Sequence, residues 1–367
     1  MMYMKKTLTS TIVALLAWQG QAIAETMEDR VTTTEQRIKY LEQRMQNQDQ
    51  VLLKQNQPSL EISGVVEVEA SNNDPYEGDS TSDITAATVE IGLAAQVNDW
   101  VSAEVVLLYE EDDTPLDVDV ATISLAKPNG PWSLTAGQFF VPFGSFETNQ
   151  VSDPLTLEIG ETRESAIQVG FEAGAFSSAV YLFKGTNKED NGTADKVDNF
   201  GLTLGFAGEG YAFGLGYIND IGDSDSLQDA LGTNDVLAHV AGQTVNAMFE
   251  LGSITLIGEY LAAADKFETG ELAFKGQGAE PKAWNIELAY AFDLAGKGAT
   301  LAVGYQGTEE ALALELPETR TLATLSVGMM ENTTLSFELA QDEDYAVADG
   351  GTGKSANTVT AQLAIEF

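Results

Sequence analysis

The sequence predicts an all-β fold: a transmembrane antiparallel β-barrel of about 16 strands, preceded by a short N-terminal α-helical coiled coil. Three observations carry this. From residue 59 onward apolar residues recur with period two. The connections between the alternating runs are by turns short and long. The last run ends the chain on an aromatic, Phe367.

At the amino terminus, Lys5 and Lys6 precede an apolar stretch from Leu8 to Trp18, and Ala22-Ile23-Ala24 supplies the small residues of a cleavage site. Residues 1–24 therefore read as an export signal. Their apolar core is roughly half the ~20 residues that a spanning helix needs. In residues 25–57, Met27, Val31, Thr34, Ile38, Leu41, Met45, Gln48 and Leu52 step by fours and threes, an a/d seam flanked by Glu, Gln, Arg, Asp and Lys. Pro58 stops it. Thr34 and Gln48 weaken the seam, so the expectation is a periplasmic coil of modest stability through which copies associate; the alternative is a lone amphipathic helix.

Residues 58–367 are the expected barrel. Leu60, Ile62, Gly64, Val66 and Val68 alternate with Glu61, Ser63, Val65, Glu67 and Glu69, giving one apolar and one mostly polar face. Equivalent runs are expected near 59–70, 84–97, 100–110, 117–127, 132–140, 165–173, 175–185, 198–207, 210–218, 237–251, 253–263, 283–293, 298–307, 320–329, 332–341 and 356–367. Asn98-Asp99, Lys127 to Pro131, Gly174, Gly208 to Gly210, Gly252, Ala295 to Gly298 and Met330-Glu331 are tight connections. Ser71 to Asp83, Glu110 to Leu116, Val141 to Glu164, Asn219 to Val236 and Gln341 to Ser355 are long. An outer-membrane barrel imposes this alternation, with short periplasmic turns and long surface loops. The final alternation of Val359, Ala361, Leu363, Ile365 and Phe367 resembles the signal by which such barrels are assembled.

Composition narrows the function. There are 57 Asp+Glu against 18 Lys+Arg, no cysteine and one histidine, His239. The charge argues against nucleic acid, and the missing cysteine removes disulfides and thiolate metal sites. A hydrolase would have to recruit His239, which has no serine beside it in the sequence, so no catalytic residue and no enzyme is expected. A barrel of sixteen strands leaves an aqueous channel, so the default activity is solute passage. Residues 58–367 keep 51 acids and 11 bases. Glu61, Glu67, Glu90, Glu104, Glu250, Glu259, Glu287 and Glu338 fall opposite the apolar face of their strands and are expected to line the lumen, either solvating it or favouring cations. No cofactor and no dedicated metal site is expected, although the acid clusters Glu110 to Asp113 and Asp342 to Asp344 offer oxygen ligands to divalent cations.

The stretch 141–164 breaks the period. A loop of this length without its own periodicity is commonly functional. Phe139 to Glu164 is expected to fold into the lumen, Phe140, Phe143, Phe146, Leu155 and Leu157 burying against the barrel wall and narrowing the pore, with Asp153, Glu158, Glu161 and Arg163 as a polar rim in water and Glu164 beside them as a pore-lining residue. An outer cap is the alternative. Arg163 and Arg320 are the two arginines after residue 58, and Arg163, amid so many carboxylates, is expected to pair with one.

Gly137-Gln138-Phe139-Phe140-Val141-Pro142-Phe143-Gly144, then Glu147-Thr148-Asn149, Ser152-Asp153-Pro154-Leu155-Thr156-Leu157-Glu158 and Gly160-Glu161-Thr162-Arg163-Glu164 resemble the LbtU-type siderophore porins of Gram-negative bacteria. Those also carry a signal peptide and a short coil before the barrel. The resemblance implies an outer-membrane channel for ferric siderophores without a plug domain, and no ligand residues carry over. A general cation-preferring diffusion porin is the second reading. A peptide of residues 25–57 should associate and gain helicity with concentration in circular dichroism and sedimentation. If it stays monomeric and unfolded at high concentration, the seam reading fails.

Overall fold

A computed structural model describes residues 59–189, 196–232 and 235–367; the export signal and coiled coil expected over 1–57 lie outside the described residues. The strands are β1 (Ser59–Asp74), β2 (Thr81–Asn98), β3 (Val101–Tyr109), β4 (Asp117–Ala126), β5 (Trp132–Phe140), β6 (Arg163–Ala173), β7 (Phe176–Phe183), β8 (Lys188–Glu189), β9 (Asn199–Gly208) and β10 (Tyr211–Ile218). They continue with β11 (Asp235–Val236), β12 (Gly242–Leu251), β13 (Ile254–Ala263), β14 (Ala273–Phe274), β15 (Gln277–Gly278), β16 (Lys282–Leu294), β17 (Lys297–Glu309), β18 (Thr319–Met330), β19 (Thr333–Glu343) and β20 (Ser355–Glu366). Sixteen of them close an antiparallel barrel in chain order. The short pairs β8 with β11 and β14 with β15 lie apart from that wall.

The strands follow the period-two runs closely, with one instructive exception. The run 237–251 shortens to Gly242–Leu251, because Val240 is a loop residue whose carbonyl accepts the Ile221 N–H and whose side chain is buried. Loop burial there imitates a strand's alternation. Tight turns join β2 to β3, β4 to β5, β6 to β7, β9 to β10, β12 to β13, β16 to β17 and β18 to β19. Longer connections fill the other end: L3 (141–162), L4 (184–198), L5 (219–241), L6 (264–281), L7 (310–318) and L8 (344–354).

The two faces differ as expected. On β16, Ile286 is 61% and Leu288 42% exposed while Asn285 and Glu287 are 1% exposed, so apolar side chains face out and polar ones in. Rings gather near the tight turns, with Trp132 against Phe171 at 4.7 Å and Phe213 against Phe249 at 5.4 Å. Near the loops Trp284 meets Tyr305 at 5.0 Å. Aromatic girdles flanking an apolar band match membrane interfaces. β1 and β20 close the barrel, and Gly64 and Phe367 exchange both backbone hydrogen bonds. A Cβ on Gly64 would stand 2.5 Å from the Phe367 ring, so the glycine makes room for the terminal aromatic.

Leu288→Arg puts a cation at the middle of this outer face and should destabilise the barrel by ~2–4 kcal/mol. Equilibrium urea unfolding in lipid vesicles reads the change, and a value near zero would place that face away from hydrocarbon.

Candidate functional site

L3 leaves the wall at β5 and re-enters it at β6, yet its fastenings lie on distant strands. The chain turns at Val141, whose carbonyl accepts the Phe143 N–H at 2.8 Å. It then runs past Gly216 on β10, where an added Cβ would stand 2.1 Å from the Phe143 carbonyl oxygen; the missing side chain lets the loop backbone lie on the wall. Thr244 on β12 donates to that same oxygen.

Three inward carboxylates then take up the loop's backbone donors. Glu259 on β13 accepts the N–H groups of Ser145 at 2.7 Å and Phe146 at 3.0 Å and the Thr156 hydroxyl at 2.9 Å. Glu287 on β16 accepts the Asn149 N–H at 2.9 Å, its side-chain amide at 2.7 Å and the Thr148 hydroxyl at 2.6 Å. Glu338 on β19 accepts the N–H of Val151 at 2.5 Å and of Ser152 at 3.0 Å, together with the Ser152 hydroxyl. Loop N–H groups have no strand partner, and an unpaired buried one costs about a hydrogen bond. A carboxylate that gathers two or three donors at once is likewise compensated for its own burial.

Pro154 opens a short helix, α1 (Leu155–Gly160), all six residues of which are buried. Gln306 on β17 accepts its first N–H, from Leu155, at 3.0 Å. Phe143, Leu155 and Ile159 pack with inward Tyr181 and Phe183 of β7, Ile218 of β10 and Leu261 of β13 in an apolar core inside the barrel. A second helix, α2 (Asp225–Leu231) in L5, leans on α1, the Asp225 N–H donating to the Glu161 carbonyl at 3.0 Å.

The expected site residues distribute as follows. Phe143 is in this core, and Phe140 and Phe146 are partly buried against it. Phe140 ends β5, whereas Arg163 and Glu164 open β6 and belong to the wall rather than to the loop. Asp153 and Glu158, expected in water, are buried, because α1 is covered on all sides within the lumen. Glu161 remains partly exposed. Arg163 pairs with Asp119 at 3.2 Å and Asp117 at 3.6 Å. Arg320 makes a bidentate pair with Asp342 at 2.7 and 2.9 Å, which takes Asp342 out of the expected loop cluster.

All eight Glu residues expected in the lumen lie on inward faces. Glu67, Glu90, Glu259, Glu287 and Glu338 are buried, and Glu61, Glu104 and Glu250 are half-buried. Glu147 of L3, half-buried, has its carboxyl pushed up to about 7 by burial and by the charges of Glu259 and Glu287. Among the described residues no group of three or more His, Asp or Glu is placed to hold a metal ion. Thr244, Gln306 and the latching role of three glutamates are invisible to periodicity, which reports a face and not a partner.

No protein-family model matches the chain. It is similar to a UPF0422 protein of Legionella pneumophila strain Paris, 28% identical over 355 residues and covering 85% of this chain and 67% of that protein. A UPF0422 protein of Coxiella burnetii is 27% identical over 341 residues, covering 84% and 72%. Among solved structures, the fold is similar to an anion-selective porin from Comamonas acidovorans (TM-score 0.60, 16% identity, 85% of this chain and 100% of that one). It is also similar to the outer membrane channel DcaP of Acinetobacter baumannii (TM-score 0.58, 14% identity, 85% and 98%). These structures establish a porin-like barrel fold.

Glu287→Ala removes three hydrogen bonds from L3 and should lower the free energy of its local opening by roughly 2–3 kcal/mol. Hydrogen exchange of residues 145–157 in detergent micelles measures this. Unchanged protection would show that the loop is held by its apolar side alone.

Proposed function

We propose that the chain is a passive outer-membrane channel of a Gram-negative bacterium, cation-preferring, with L3 setting the aperture. The observation that carries the reading is L3 itself, which crosses from β5 to inward carboxylates on β13, β16 and β19. A segment fastened across a lumen reduces the free cross-section at that height. The apolar outer band and its aromatic girdles support membrane embedding, and the tight turns share a side with the start of β1, so residues 25–57 would be periplasmic. The sign of selectivity follows from 51 acids and 11 bases after residue 58 and from both arginines being paired. The comparison porin named anion-selective is a different chain, and its preference is not carried over. A channel rather than an enzyme also suits His239, whose Nδ1 is 2.9 Å from an amide oxygen of Asn199 instead of a nucleophile.

The finer reading is uptake of ferric siderophores or other small iron chelates, supported by the resemblance of 137–164 to LbtU-type porins; those residues form the fastened loop and its flanks. In an acidic lumen neutral or cationic chelates should pass more easily than polycarboxylate ones. General diffusion of small cations requires no such specificity.

Reversal potentials across a planar bilayer under a salt gradient should show cation preference, stronger at low salt. Deleting residues 147–162 should raise single-channel conductance and admit larger solutes, since no strand is removed. Anion preference, or an unchanged solute cutoff in the folded deletion variant, would overturn the corresponding half of the proposal. Growth of an iron-limited strain on chelates of differing charge, with and without the protein, separates chelate uptake from general diffusion.

A further inference from the structure

Behind the pore loop lies a cluster of buried polar groups that solute passage leaves unused. Asp223, fully buried, accepts the N–H groups of Thr186 at 2.7 Å and Asn187 at 2.9 Å on one oxygen and the Asn199 side-chain amide at 2.6 Å on the other. Asp220, 1% exposed, accepts the Gly222 N–H at 3.0 Å, and its other oxygen lies 3.5 Å from Nδ1 of His239. That Nδ1 is 2.9 Å from the Asn199 amide oxygen, which also accepts from Asn219 at 3.0 Å. A carbonyl oxygen only accepts, so Nδ1 carries the proton. The cluster thus joins L4, the first residue of β9, and L5. Two residues beyond Asp223, α2 begins, and its Asp225 N–H holds the Glu161 carbonyl at the end of α1.

We infer that Asp223 is a positioning residue for the pore loop: with Asn199, Asp220 and His239 it clasps L5 to L4 and, through α2, steadies L3, the clasp tightening in acid and loosening in alkali. The inference rests on L3 being the constriction. Its pH sense follows from the charges. Burial first, and then the neighbouring Asp220 charge, push the Asp223 carboxyl up to about 7 against the opposing pull of the Asn187 and Thr186 hydrogen bonds and His239. A carboxyl raised above its ordinary range stabilises the clasped arrangement of L4 and L5 when protonated. That contribution is complete below the ordinary carboxylate range and is lost as pH rises through about 7. Above it, two carboxylates repel in a buried space. Glu164 of β6 faces this cluster and feels the Asp223 charge, and Asp225 of α2 and Lys184 of L4 act in turn on Glu164.

Single-channel recordings of the mature protein at about pH 5.5 and about pH 8.5 test this. The unmodified protein should show up to about thirtyfold more closing events at the higher pH, since about one and a half pK units lie between pH 5.5 and the midpoint near 7 and each is worth about tenfold. Asp223→Asn, permanently neutral, should stay quiet at both. Asp220→Asn should lower the midpoint by about one pH unit. An Asp223→Asn channel that keeps the full pH dependence overturns the inference. Should that variant not fold, hydrogen exchange of residues 219–232 in the unmodified protein, corrected for intrinsic rates, decides: protection that falls as pH rises to about 7 and levels off above it supports the clasp, and flat protection overturns it. Lost protection together with pH-independent conductance retains the clasp and overturns L3 as the constriction instead.

Discussion

A stretch of chain that crosses the inside of a barrel must satisfy its backbone N–H groups without a neighbouring strand. In this protein the wall supplies the acceptors, because Glu259, Glu287 and Glu338 each gather two or three donors from L3. The dependence is mutual. A hydrogen bond to a charged group contributes about 1.5–3 kcal/mol, enough to hold a loop with few regular bonds of its own. The carboxylates in turn tolerate burial only because those donors stand in for water. Neither half of the arrangement would be stable in its present position without the other.

The carboxylates fasten only one arc of L3, and an apolar core fastens the rest. Tyr181, Phe183, Ile218 and Leu261 point inward at positions where a water-filled tube would carry polar groups. Together with Phe143, Leu155 and Ile159 they bring to the upper lumen the close packing of a soluble protein interior. Because L5 packs on this core through Leu227 and Leu231, the surface loops and the pore loop form one continuous body. The fastenings fall on β10, β12, β13 and β16 to β19. The arc of β1, β2 and β3, with inward Glu61, Glu67, Glu90 and Glu104, lies across the barrel from β10, β12 and β13.

The barrel was legible in the sequence because its constraint is one-dimensional. A strand wet on one face and apolar on the other alternates, as Trp284, Ile286, Leu288, Tyr290 and Phe292 do against Asn285 and Glu287. Loop alternation follows from the same geometry, and so does the inward side of each glutamate. What each inward glutamate does was not legible, since Glu61 and Glu287 have the same local pattern and differ only in whether L3 reaches them. The polar rim failed for a related reason: hydropathy assigns Asp153 and Glu158 to water, whereas the lumen encloses α1 from every side. Inward aromatics such as Tyr181 were equally hidden, because alternation with Val180 and Leu182 leaves a run apolar on both faces.

For the proposed channel, selectivity is a matter of which charges the solute meets rather than how many the chain carries. The excess of 51 acids over 11 bases overstates the field around L3. Three glutamates are spent on L3, and two aspartates, Asp119 and Asp342, are matched by Arg163 and Arg320. Glu61, Glu104 and Glu250, by contrast, are half-buried and hold no part of L3. A carboxylate in contact with water acts on a passing ion through a screened potential that fades over about 10 Å at 0.1 M salt. A latched one acts mainly through the shape of the loop it holds. Under the proposed function the same residue type thus sets sign where it meets water and aperture where it holds L3, and the two properties should respond to different substitutions.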